Sequence, residues 1–123
     1  MKTILFVDDH LVLANLSCEI LEMEGYRAVS AGSGTEALKK FQEDTFDLLV
    51  TDFRMAGMNG LELARRIHEI DPEFPVILVT GYGAVDIGQE ALACLQKDEL
   101  FPALLEQIRM FIGDAEEPQA MTA

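Results

Sequence analysis

At 123 residues the chain has the length of one domain and too little for two independent cores. Apolar residues make up 50% and charged ones 25%, a globular composition that argues against a disordered chain. Lysine and arginine total 9 against 22 aspartates and glutamates; the net charge of −13 repels phosphate backbones, so direct nucleic-acid binding by this segment is not expected, whereas metal cations or basic partners suit it.

The first apolar run, Thr3 to Val7 after the charged Lys2, stops at Asp8 and Asp9, well short of a signal-peptide core. No later stretch is long enough to span a bilayer, which points away from the membrane and to the cytoplasm. Ile4 to Val7 suits a strand buried on both faces of a parallel sheet. Leu13, Leu16, Ile20 and Met23 recur at helical spacing, and Gly25 supplies a stop. A second strand is expected from Tyr26 to Ala31, then a helix capped by Ser33 or Gly34 and carrying Ala37, Leu38 and Phe41. Phe46 to Thr51 forms a third strand ending at Asp52. The glycines make Arg54 to Gly60 a loop, and Leu61, Ala64, Ile67 and Ile70 give the next helical stripe. Val76 to Val79 is a fourth strand ending at Thr80, and a weaker fifth runs from about Leu92 to Gln96 before Lys97. A final helix carries Leu100, Leu104, Leu105, Ile108 and Phe111 or Ile112. Cys18 and Cys94 sit among apolar neighbours and read as small buried hydrophobes in a reducing compartment.

Strand and helix thus alternate, which implies parallel strands joined by right-handed crossovers. The expected fold is α/β: a flavodoxin-like, doubly wound, five-stranded parallel sheet of order 2-1-3-4-5. Residues 1–113 form the domain, and 114–123, without apolar periodicity, read as a flexible tail or the start of a linker.

The unusual polar residues all stand at strand ends: Asp8 and Asp9 after the first, Asp52 at the third, Thr80 at the fourth, Lys97 at the fifth. They share the carboxyl rim, where open α/β sheets bind ligands. In the order above, strands one and three are neighbours and the three aspartates converge. Two carboxylates ~4 Å apart repel by about 4 kcal/mol at an effective dielectric near 20. A bound proton or a divalent cation must offset that, and oxygen-only ligands on an exposed rim favour magnesium.

This set resembles the response regulator receiver domain of two-component signalling from Lys2 to Ile112. The matching motifs are Phe6-Val7-Asp8-Asp9, the block from Asp52 to Gly60, Thr80-Gly81 and Lys97. The resemblance implies that Asp52 accepts a phosphoryl group from the phosphohistidine of a sensor histidine kinase or phosphotransfer protein. It also implies that Asp9, Asp52 and the backbone carbonyl of Arg54 coordinate Mg2+, with Asp8 holding a metal-bound water. Thr80 then donates its hydroxyl to the phosphoryl group and Lys97 pairs with it. Three carboxylates, one Mg2+ and one lysine cancel in charge, which suits the approach of an anion.

Taken singly, the same residues have plainer readings: Asp9 a helix cap, Asp52 a loop residue, Thr80 a strand end, Lys97 a solvated lysine. His10 and His68 read as surface residues, Met55 and Met58 as packing beneath the loop, Arg65 and Arg66 as a solvated helix face.

The chain also departs from that family. Only 16 residues separate Thr80 from Lys97. Allowing about four for the fifth strand leaves about 12, near the ~10–12 residue minimum for a crossover. With Gly83 and Gly88 weakening helix there, the fourth helix, over Ala84 to Ala93, is expected to be truncated or irregular. Cys94 stands where the family has an aromatic switch, three residues before the lysine. Asp98 replaces the family's cis-proline, so a trans bond is expected there and Asp98 competes for Lys97. Ala56 stands where a proline is usual.

The leading reading is a signalling receiver, not an enzyme in its own right, with an unknown output partner. The alternative is a receiver-like binding module whose output no longer depends on phosphorylation. A phosphohydrolase of the haloacid dehalogenase type needs a second aspartate two residues beyond the nucleophile. Arg54 and Leu11 occupy those places.

Overall fold

A computed structural model describes residues 1–81, 91, 93–96 and 100–113; of Gln96, Leu100 and Pro102 it describes the backbone alone. In chain order the elements are β1 (Thr3–Val7), α1 (Leu11–Met23), β2 (Arg27–Ala31), α2 (Gly34–Glu43), β3 (Leu48–Asp52), α3 (Gly60–Ile70), β4 (Val76–Thr80), β5 (Ala93–Gln96) and α4 (Leu100–Ile112). The five strands form one sheet of order β2-β1-β3-β4-β5, parallel throughout, as expected.

Every residue of β1, β3 and β4 is buried, which is why these strands read as continuous apolar runs. Side chains alternate between two cores. Ile4, Phe6, Leu48, Val50, Ile77 and Val79 point into a layer shared with α1 and α4. Leu5, Val7, Leu49 and Val76 point into the other, shared with α2 and α3. Fully burying one such aliphatic side chain is worth about 1.5–3 kcal/mol.

The helix stripes depart from expectation. In α1 the buried residues are Ala14, Ser17, Cys18 and Leu21, one step away from the Leu13–Leu16–Ile20–Met23 stripe. Apolar residues surround much of this helix, and the sheet takes the face with small side chains because it allows the closest approach. Leu11, Val12, Leu16 and Met23 are left exposed. In α3, Leu63 joins Ala64 and Ile67 in the core, while Ile70 is exposed and Leu61 only half-buried. Leu104, Leu105 and Ile108 bury α4 as expected, but Phe101 is extended at φ −111° and ψ 135°. Pro102 follows it, and a proline drives the preceding residue out of the helical region, so Leu100 stands beyond a break.

Helix ends are capped from the sequence. Ser33 accepts from the Glu36 N–H, and Asn59 with Glu62 forms a reciprocal capping box. Gly25, at φ 97°, follows α1 as the expected stop. Cys18 is buried, and burial pushes its thiol up to about 11. Cys94 is only half-buried, against expectation, because it lies on the edge strand β5.

Residues 81–92 join β4 to β5. The expected truncation of a helix there, with Gly83 and Gly88, lies outside the described residues, as do Lys97, Asp98 and the tail 114–123.

Candidate functional site

Strand register builds the site. Val7 of β1 pairs with Thr51 of β3, so the next residues, Asp8 and Asp52, come level at the carboxyl edge. Asp52 pairs with Val79, and Thr80 lies one step beyond on β4. Asp8, Asp52 and Thr80 are almost fully buried, at 3%, 6% and 1% exposure. Asp9 is exposed. The sequence therefore locates these four residues together, on one edge of one sheet.

Local hydrogen bonds fix the aspartates. The Asp8 N–H donates to the Ala31 carbonyl at 3.1 Å, and its Oδ1 accepts from the His10 N–H at 2.9 Å. The exposed His10, not Asp9, caps α1, with Nδ1 accepting from the Leu13 N–H at 3.3 Å. Relieved of capping, Asp9 turns to the opposite loop, where its Oδ2 accepts from the Ala56 N–H at 3.3 Å.

The loop after Asp52 is tied at both ends. The Phe53 N–H donates to the Val79 carbonyl and the Gly60 N–H to the Phe53 carbonyl, each at 2.8 Å. A Cβ at Gly60 would lie 2.4 Å from the Asp52 carbonyl oxygen, inside contact distance of backbone that cannot swing away. Gly60 thus lets the start of α3 abut the end of β3. Between these ties Arg54 is exposed, Gly57 takes φ 78°, and Met55 and Met58 pack into the second core, as expected of them.

One carboxylate oxygen from each of Asp8, Asp9 and Asp52 lies within 4.8 Å of the other two. Such crowding of negative charge is relieved by a cation. Three carboxylate oxygens this close, one of them exposed at the rim, are the donor type a hard divalent ion such as magnesium takes, directly or through its waters. Oxygen-only ligands favour hard cations over the softer, sulfur-seeking metals.

Other polar residues fall elsewhere. His68 is half-buried, its Nε2 2.8 Å from the Phe74 carbonyl, so it ties the α3–β4 loop instead of lying on the surface. Arg65 and Arg66 are exposed, as expected. The Ala56 N–H contact to Asp9 and the close approach at Gly60 had no reading in the sequence. The Asn59–Glu62 box had one available, as an Asn followed three residues later by Glu.

The sequence model of the response regulator receiver domain matches residues 4–108. Over 113 residues the chain is 35% identical to the transcriptional regulatory protein ZraR of Klebsiella oxytoca, covering 91% of this chain and 26% of ZraR. It thus spans about a quarter of the length of that relative. Over 91 residues it is 37% identical to the response regulator receiver protein CpdR of Brucella abortus, covering 74% of this chain and 76% of CpdR. The crystal structure of response regulator TrrA from Thermotoga maritima in complex with Mg2+–BeF superposes with a TM-score of 0.84 at 35% identity, over 91% of this chain and 100% of that one. TrrA in complex with the histidine kinase ThkA gives 0.83 at 35% identity, over 91% of this chain and 99% of that one.

Proposed function

The chain belongs to the response regulator receiver domain family of two-component signalling, and from that premise we propose that Asp52 accepts a phosphoryl group from a phosphohistidine on a sensor histidine kinase or phosphotransfer protein. The transfer is Mg2+-dependent and switches the domain's partner interactions in the cytoplasm. The observation that carries this reading is the meeting of Asp8, Asp9 and Asp52 within 4.8 Å at the edge of the sheet.

Asp9, Asp52 and the Arg54 backbone carbonyl are the ligands we assign to Mg2+, with Asp8 holding one of its waters. Bound there, the ion supplies positive charge against the carboxylates and the oxygens of the incoming phosphoryl group. An oxygen of Asp52 attacks phosphorus; the O–P bond forms as the P–N bond breaks, and its electron pair leaves on the imidazole, which takes up a proton. Asp52 is held by its place in β3 and by Gly60 behind it, which suits a reaction that depends chiefly on positioning and charge. Thr80, buried one residue past the partner of Asp52, is assigned to donate its hydroxyl to the transferred group. Lys97, the residue after β5, is assigned to pair with the same group. The added charge and acceptors then draw the hydroxyl of the already buried Thr80 toward the phosphoryl group and re-bias the loop after it.

Leu11, Val12 and Leu16 are exposed on the first turns of α1, immediately after Asp8 and Asp9. We assign them as the apolar footing for the phosphohistidine-bearing partner, whose negatively charged phosphoryl group could not be steered by this acidic chain. The histidine kinase seen with TrrA supports a partner of that class.

The alternative, a binding module whose output is independent of phosphorylation, is favoured by one feature. Cys94, at the place of the family's aromatic switch, is half-buried opposite Leu78 and too small to exchange inward and outward positions as a ring does. Incubation with acetyl phosphate and Mg2+ followed by intact mass tests the leading reading. A phosphate-sized gain, absent in Asp52→Asn and absent with chelator, is expected; no gain in the native chain moves the assignment to the binding module. Output-partner affinity with and without a phosphoryl mimic then separates the two.

A further inference from the structure

We infer that Gly34, at the start of α2, is a positioning residue for the loop from Phe53 to Gly60. This inference deepens the phosphoacceptor reading and rests on it.

Gly34 is buried at the start of α2. A Cβ there would lie 2.8 Å from Sδ, 3.1 Å from Cβ and 3.2 Å from Cγ of Met58. The sulfur alone could swing aside, but the Met58 Cβ is fixed by its own backbone. Any side chain at 34 must therefore move either α2 or the loop. The α2 end is the firmer of the two. Ser33 Oγ accepts from the Glu36 N–H at 3.0 Å, and Glu36 Oε1 accepts from the Gly32 N–H at 2.8 Å. Lys40 donates to the Ser30 carbonyl and pairs with Glu36 at 3.1 Å. The Gly32 N–H, with Lys40 second, holds the Glu36 carboxyl below its ordinary range, so this clasp is charged at neutral pH. The loop is what gives way.

Tied at Phe53 and Gly60, the loop passes a push at Met58 to the stretch between them. That stretch holds the Arg54 carbonyl assigned to the metal and the Ala56 N–H that steadies Asp9. Gly34 is a seat: bare backbone on which Met58 rests, fixing the height of the loop above the carboxylates.

The test is a double-substitution cycle in the full chain, with Gly34→Ala, Met58→Gly and both together. Mg2+ is titrated while the Ala56 amide is followed by NMR, and the rate of phosphoryl uptake from acetyl phosphate is measured at low and saturating Mg2+. Misplacing the loop by a few tenths of an ångström should weaken Mg2+ binding by about three- to tenfold in G34A, with saturating Mg2+ recovering most of the rate. In the Met58→Gly background, which removes the Cβ as well as the sulfur, the same substitution at Gly34 should change the Mg2+ midpoint by less than about twofold, because the clash is gone. Equal midpoints for the native chain and G34A, or an equal loss in both backgrounds, overturn the inference. A native chain that takes no phosphoryl group counts against the phosphoacceptor reading alone. The Ala56 amide then decides: displaced by G34A and restored in the double variant it supports the seat, and unmoved it overturns it.

Discussion

The two sides of the sheet are built to different standards. On the proposed acceptor side, β1, β3 and β4 are five residues long and buried throughout, and their ends are cross-tied by backbone hydrogen bonds and a glycine against a carbonyl. On the far side, β5 is a four-residue edge strand whose Ala93, Cys94 and Leu95 are half-buried, and the helix after it is broken at Phe101. Chemistry that gathers three carboxylates needs over-determined backbone. If the proposed read-out passes through β5, the small Cys94 gives it little to move.

The largest effect should come from disturbing the acceptor side. Gly60→Ala sets a Cβ against the Asp52 carbonyl and the Leu78 side chain. Overpacking of that kind costs about 1–3 kcal/mol, or more where backbone must shift, and urea unfolding should show a loss of about 3 kcal/mol together with lost phosphoryl uptake. Next comes the α1 face. Leu16→Glu should slow transfer from a cognate kinase by about tenfold, as loss of one buried apolar contact predicts, while leaving uptake from acetyl phosphate unchanged. Equal losses with both donors would show that Leu16 serves the fold instead.

On the far side, Cys94→Tyr should widen the difference in partner affinity between phosphorylated and unphosphorylated chain, at a cost in stability of about 1–3 kcal/mol for the larger side chain. If the difference stays flat, the read-out does not pass through this strand.

The smallest effect concerns Cys18. Its thiol is raised from 9.0 to about 11, so the folded state keeps a proton that the unfolded chain releases. The stability this lends is present below pH 9 and is lost as pH climbs through 9 to 11. Cys18→Ala should flatten that alkaline slope in denaturant midpoints, and an unchanged slope would place the titration elsewhere.

Much of this was legible from residue order. Continuous apolar runs marked the strands because parallel strands are buried on both faces, and the polar residues Asp8, Asp52 and Thr80 that end three of them do lie on one edge of the sheet. The phase of α1 was not legible, since Leu13, Leu16, Ile20 and Met23 form as good a stripe as the small-residue face that the sheet selected. Closeness of approach, not hydrophobicity, chose between them. Within the site, the identity of the aspartates was readable, but their bracing was not. His10 displacing Asp9 as the cap, and Ala56 donating to Asp9, depend on where a loop distant in sequence comes to rest.

In the proposed function Asp8, Asp9 and Asp52 act together as one cation site that serves a nucleophile. Mg2+ titration followed by the amides of residues 8, 9, 52 and 56 tests it most directly. A single saturable transition shared by all four, abolished in Asp9→Asn and followed by phosphoryl uptake on Asp52, is the expected result. Independent, non-saturating shifts that persist in Asp9→Asn would contradict it.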